Sequence, residues 1–158
     1  MTSRTEHLQK IMTEKGLKLS LAESCTGGMI GAEITSLSGS SSFFMGSAVT
    51  YSNESKERIL KVSRDSLIEF GAVSEQVARE MALGSLYAYD SDISGSVTGI
   101  AGPNGGTPEK PVGTVWMAVT DGKKTRTFEN HFEGSRDEIR QSARNVLIDH
   151  IIEFVKSG

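Results

Sequence analysis

The chain has 158 residues, with 37% hydrophobic and 23% charged side chains and a net charge of −3. That length buries a sizeable core, and the balanced composition excludes a disordered chain. The absence of a basic stripe argues against nucleic acid as the main partner, and no apolar run approaches the length of a membrane span.

In chain order, residues 3–15 form an amphipathic pattern, with Leu8, Ile11 and Met12 at helical spacing and Gly16 as a stop. Residues 17–23, "LKLSLAE", alternate as a strand, and 27–37, "GGMIGAEITSL", read as a closely packed helix. After the loop "SGSSS" a second strand is expected over 43–51, then short helices over 53–61 and 63–71. Ser74 opens a helix over 74–89, with Glu75 in its first turn. A strand over 93–102 runs into a glycine loop. Strands over 112–122 and 123–134 form a hairpin around Asp121-Gly122, and a long helix closes the chain over 135–156. Helical crossovers combined with a hairpin imply a mixed sheet covered by helices, a three-layer α/β/α sandwich, expected as a single domain over 1–158.

The polar N-terminus "MTSRTEHLQK" lacks a signal-peptide core, and the lone cysteine, Cys25, permits no intrachain disulfide. Both point to the cytoplasm. His7, His131 and His150 show no ligand spacing, so neither a metal nor a cofactor is expected.

The stretch "AESCTGG", 22–28, passes from strand to helix and puts Ser24, Cys25 and Thr26 in a row. A serine at such a turn sits at the carboxyl end of a sheet, beside free N–H groups and the positive end of a helix dipole. Gly27 and Gly28 let a substrate approach the backbone. Ser24 or Thr26 would equally serve as an ordinary helix cap. A nucleophilic serine needs a base, and no histidine has a suggestive setting. "TYSNESK", 50–56, offers Tyr51 and Lys56 after the second strand, as in Ser–Lys enzymes. An ordinary lysine titrates near ~10.4 and would have to fall to about 7–8 to act as a base. The alternative is a solvated Lys56 paired with Glu54 or Glu57. The loop within "TGIAGPNGGTPEKPVGTVW" is neither a P-loop nor a dinucleotide fingerprint. It presents backbone N–H groups to an anion or a carbonyl, or else is a long structural turn.

"AESCTGG", "VTYSNESK", "GAVSEQVAREMA" and "GIAGPNGGTPEKPVGTVW", in this order and spacing, closely resemble the C-terminal domain of the competence/damage-inducible CinA proteins. Stand-alone members of that family are nicotinamide-nucleotide amidases. The larger CinA proteins carry a further N-terminal domain associated with ADP-ribose pyrophosphatase activity, which a chain of this length is not expected to share. The resemblance implies hydrolysis of nicotinamide mononucleotide to nicotinate mononucleotide and ammonia, in the recycling of pyridine nucleotides. It places the catalytic serine on Ser24 and its partners on Tyr51 and Lys56. Cys25, Thr26, Gly27 and Gly28 would shape the pocket. Ser47, Thr50, the loop residues Gly99, Ala101, Gly102, Asn104, Gly105 and Gly106, and a basic side chain would hold the nucleotide. Arg136 and Arg140 share one helix face, and Arg140 matches a recurrent arginine of the family. Asn104 departs from the aspartate expected in many relatives. The family's habit of self-association implies a homodimer or higher homo-oligomer. Two other readings stay open: a non-catalytic nucleotide-binding or regulatory domain, and a thiol enzyme dependent on Cys25.

Overall fold

A computed structural model describes residues 2–158. Six helices and five strands follow the expected order: α1 (Arg4–Lys15), β1 (Leu19–Glu23), α2 (Met29–Thr35), β2 (Phe44–Val49), α3 (Asn53–Leu60), α4 (Arg64–Phe70), α5 (Glu75–Tyr89), β3 (Ile93–Gly99), β4 (Thr114–Thr120), β5 (Thr125–His131) and α6 (Arg136–Lys156). The strands form one sheet in the order β2-β1-β3-β4-β5. β1 pairs in parallel with β2 and β3, while β3, β4 and β5 run antiparallel to one another. This is the mixed three-layer α/β/α arrangement.

The two faces of the sheet are built differently. Leu19, Leu21, Ile93, Val97, Val115, Met117 and Val119 pack under α1, α2 and α6, against Leu8, Met12, Ile30, Ile34, Leu147 and Ile151. The opposite face carries mostly small or hydroxyl side chains, with Trp116 packed beside Ala118. Ala22 and Ala48 meet Leu60, Val62, Val77 and Met81, and Ala118 meets Ala78 and Ala82. Hydroxyls hold α5 down: Ser85 donates to the Leu21 carbonyl at 2.9 Å and Ser96 to the Ala78 carbonyl at 2.6 Å. α3 in turn lies against α5 at Gly84, where a Cβ would overlap the Leu60 carbonyl. α3 carries Lys56, so this close approach sets the height of the lysine over the sheet.

Serine starts five of the helices. Ser3, Ser52, Ser63, Ser74 and Ser135 each accept from the backbone N–H three residues on. α2 is different. It begins two residues later than the sequence suggests, because Gly27 (φ +59°) and Gly28 (φ +101°) adopt left-handed conformations and prolong the turn after β1. Its leading amides find their acceptor elsewhere, in the site.

Candidate active site

β1 leads to β2 on one side, whereas β3 leads to β4 on the other. The carboxyl ends of β1 and β3 therefore flank a topological switch point, where open α/β sheets form their crevice. Ser24 stands at that point. Its N–H donates to the Val97 carbonyl of β3 at 3.1 Å, and the Thr50 N–H donates to the Glu23 carbonyl at 2.9 Å. Both neighbouring strand ends thus fix the backbone beside the hydroxyl.

Lys56 lies one turn into α3 and reaches back under the end of β2. It is 1% exposed, so the solvated alternative does not hold. Nζ is 2.9 Å from Ser24 Oγ, 2.8 Å from the Thr50 carbonyl oxygen and 3.1 Å from that of Tyr51. No carboxylate lies within salt-bridge distance of it among the described residues. Burial disfavours the charged amine and lowers it from 10.5 to about 8, with the neighbouring Cys25 opposing the shift. A neutral amine has two N–H groups and one lone pair. Two carbonyls and a hydroxyl suit it: the carbonyls accept, and the serine O–H donates to the lone pair. Protonated, the same amine donates to all three.

Glu23, fully buried, organises the turn that carries Ser24. Its carboxylate accepts from Thr26 Oγ1 at 2.7 Å, from the Ile30 and Gly31 N–H groups at 3.0 Å each, and from Ser47 Oγ at 2.7 Å. The capping that serine supplies elsewhere comes here from the strand. Arg140 grips the same turn from the other side. Its Nε donates to the Cys25 carbonyl at 3.1 Å and Nη2 to the Thr26 carbonyl at 3.2 Å, while Nη1 lies 3.7 Å from Asp137.

A cavity of about 250 Å³ opens over this turn, lined by Ser24, Cys25, Tyr51, Asn53, Lys56, Ala72, Val73, Thr98, Gly99, Ala101 and Arg136. Cys25 is buried and its thiol is pushed up to about 11, mainly by that burial, which suppresses the thiolate a cysteine nucleophile requires. No group of three or more His, Cys, Asp or Glu is placed to hold a metal ion among the described residues.

A sequence profile described as the CinA C-terminal domain matches residues 1–155. The chain belongs to the CinA C-terminal domain family. It is 54% identical over 150 residues to a CinA-like protein of Citrifermentans bemidjiense, a match covering 95% of this chain and 36% of that protein. It is 49% identical over 146 residues to nicotinamide-nucleotide amidohydrolase PncC of Enterobacter agglomerans, covering 90% of this chain and 88% of that one. The chain spans about a third of the length of the CinA-like relatives it matches. A crystal structure of a CinA superfamily protein from Klebsiella pneumoniae superposes with a TM-score of 0.95 at 30% identity, over 98% of this chain and 97% of that one. A competence/damage-inducible protein from Agrobacterium tumefaciens gives 0.89 at 37%, over 97% and 96%.

Within this CinA C-terminal domain, Ser24, Cys25, Tyr51, Lys56, Gly99 and Ala101 line one cavity. Several other residues do different work. The hydroxyls of Thr26 and Ser47 are turned to Glu23, not to the cavity. The Thr50 hydroxyl is buried and makes no hydrogen bond among the described residues; its carbonyl serves Lys56. Gly27 and Gly28 shape the turn. The carbonyl of Gly102 accepts from Arg136 Nη1 at 2.7 Å. Asn104, Gly105 and Gly106 line a separate, open depression with Pro103 and Val112. Arg140 is engaged by backbone carbonyls, and Arg136 is the arginine that lines the cavity. The Tyr51 hydroxyl faces Arg136 Nη2 at 3.4 Å, whereas Lys56 meets only the Tyr51 carbonyl. Sequence reasoning missed Glu23, Asn53, Ala72, Val73 and Thr98. Glu23 did leave a signal: a helix that opens on two glycines has no cap of its own and needs an acceptor from elsewhere.

Proposed function

We propose that the chain is a serine amidohydrolase that deamidates nicotinamide mononucleotide to nicotinate mononucleotide and ammonia. The observation that carries this reading is the buried 2.9 Å contact between Lys56 Nζ and Ser24 Oγ. The 49% identity to a protein named nicotinamide-nucleotide amidohydrolase supports this choice of substrate.

Neutral Lys56 takes the Ser24 proton as Oγ attacks the carboxamide carbon. The oxyanion is held by backbone N–H groups. Gly27 and Met29 already donate to the Ser24 and Thr26 carbonyls, and Ile30 and Gly31 to Glu23. The Cys25, Thr26 and Gly28 amides donate to no backbone carbonyl or side chain of another residue among those described, and the first two follow the nucleophile directly. These two are the donors we assign to the oxyanion. Protonated Lys56 then delivers its proton to the departing nitrogen, and ammonia leaves. Water, deprotonated by the regenerated amine, attacks the acyl ester. Collapse releases the carboxylate and restores Ser24 with its proton. The substrate's pyridinium withdraws electrons from the carboxamide and favours attack. Lys56 reaches Ser24 directly, so the mechanism needs no relay through Tyr51. We further propose a homo-oligomer located in the cytoplasm, on the family resemblance read from the sequence.

The test is ammonia release from nicotinamide mononucleotide by the purified protein, with nicotinate mononucleotide identified as co-product. Release that persists in Ser24→Ala would refute the mechanism, and no release by the wild type would refute the function.

A further inference from the structure

We propose that Arg140 is a positioning residue of the oxyanion site: its guanidinium holds the turn after β1 by its carbonyls, and so aims and polarises the Cys25 and Thr26 N–H groups. This rests on the amidase reading and adds to it a residue that acts without touching the substrate.

The geometry of the peptide unit carries it. A trans peptide is planar, and its C=O and N–H point in opposite directions. Whatever fixes the carbonyl therefore fixes the amide across the plane. Arg140 Nε donates to the Cys25 carbonyl at 3.1 Å, and the N–H across that plane is that of Thr26. Nη2 donates to the Thr26 carbonyl at 3.2 Å, and the N–H across that plane is that of Gly27. The Gly27 N–H donates in turn to the Ser24 carbonyl at 3.0 Å, and across that plane lies the Cys25 N–H. Both oxyanion donors thus stand at the far end of peptides that Arg140 holds. Thr26 is reached through one plane, and Cys25 through two planes joined by a hydrogen bond.

The charge acts along the same path. A cation on a carbonyl oxygen draws electrons through the peptide and makes its N–H a stronger donor. Asp137 does little to quench it. That carboxylate is 3.7 Å from Nη1 and its side chain is 79% exposed, so water screens the pair. The two nitrogens on the turn are Nε and Nη2.

The arm that carries the guanidinium is rigid. Ile139 and Ala143, on either side of Arg140 in α6, are fully packed in the core. Glu23 holds Thr26 Oγ1 and the start of α2 from the opposite direction. The turn is clamped between a fixed cation and a fixed anion, which is the preorganisation an oxyanion site requires.

Pyridine-3-boronic acid tests the clamp without turnover. Ser24 Oγ bonds to boron, the serine proton passes to Lys56, and the boron becomes a tetrahedral anion beside the oxyanion donors. Arg140→Ala should weaken this adduct about ten- to a hundredfold in calorimetry, and should lower kcat for nicotinamide mononucleotide by a similar factor. Arg140→Lys should recover part of both. Ground-state binding of nicotinamide mononucleotide should differ less than about threefold between Ser24→Ala and the double variant Ser24→Ala/Arg140→Ala. The plateau of the pH–rate profile should fall with its midpoint unmoved. Melting curves check folding, and if Arg140→Ala does not fold, Arg140→Lys carries the same comparison. Equal boronate affinity with and without Arg140, no adduct in the wild type, or equal losses of boronate and nucleotide binding would each overturn the proposal. Boronate binding that depends on Arg140 in a wild type that releases no ammonia would sink the amidase reading and leave the clamp standing.

Discussion

Lys56 directs its amine to the carbonyls of Thr50 and Tyr51 and to the hydroxyl of Ser24, all within 3.1 Å, and is itself 1% exposed. Neither carbonyl can give the amine a proton, so the one group that can is the serine. The rate should therefore rise with pH through about 8, where Lys56 loses its charge, and level off above it. Lys56→Arg keeps the charge but has no lone pair to offer, and should lower kcat by at least about a thousandfold. Tyr51→Phe, which leaves the carbonyl in place, should be milder. pH–rate profiles of the three proteins decide this. A near-normal rate in Lys56→Arg would end the Ser–Lys mechanism.

Ser24→Ala should abolish turnover, by about a thousandfold or more, with nucleotide binding retained. Cys25→Ala should keep most of its rate, because burial holds the thiol protonated at neutral pH, pushed up to about 11. Single-turnover assays beside calorimetric binding separate the two roles. Activity lost in Cys25→Ala and kept in Ser24→Ala would move the nucleophile to the cysteine.

The lowered lysine also shapes stability. The unfolded chain holds the Lys56 proton up to about 10.5, but the folded chain releases it near 8. Between those values the unfolded state binds more protons, so stability rises with pH across the window. The burden is full below about 8 and gone above about 10.5, with a ceiling of about 3 kcal/mol. Denaturant melts at several pH values should show this rise in the wild type and a flatter profile in Lys56→Met. Parallel profiles would show that Lys56 is not the cause.

Much of the fold is legible in the sequence, because serine caps, glycine stops and apolar periodicity are local signals. The site is less so. "NESKERILK" looks like a solvated helix, yet α3 lies close against α5 at Gly84 and Lys56 is buried with its amine on Ser24, Thr50 and Tyr51. The spacing of Arg136 and Arg140 places them on one face. Which one meets the turn after β1 and which one meets the cavity is decided by tertiary placement. Glu23 reads as the last residue of a strand, and its role appears only when α2 is folded back over it.

Glu23→Ala should be costly in a different way from the catalytic variants. It leaves the Thr26 and Ser47 hydroxyls and two helix amides without their acceptor, and should lower stability by about 2–4 kcal/mol. Chemical denaturation measures it. A loss within experimental error would show that these donors find other partners.

Gly84→Ala should act at a distance from the chemistry. The added methyl meets the Leu60 carbonyl, forces α3 off α5 and lifts Lys56 from Ser24. We expect a stability loss of about 1–3 kcal/mol and a fall in kcat larger than the change in KM. A variant with wild-type kcat would show that α3 is free to shift without disturbing the base.

The switch-point location of Ser24 has a further consequence. Nucleophile and base lie on separate layers of the molecule, joined only when α3 and α5 close on the sheet. Taken apart, they are an ordinary alcohol and an ordinary ammonium group. A serine-directed acylating reagent applied along a denaturant gradient should thus mark Ser24 only in chains whose layers have docked. The hydroxyl becomes a built-in chemical reporter of assembly, readable by mass alone.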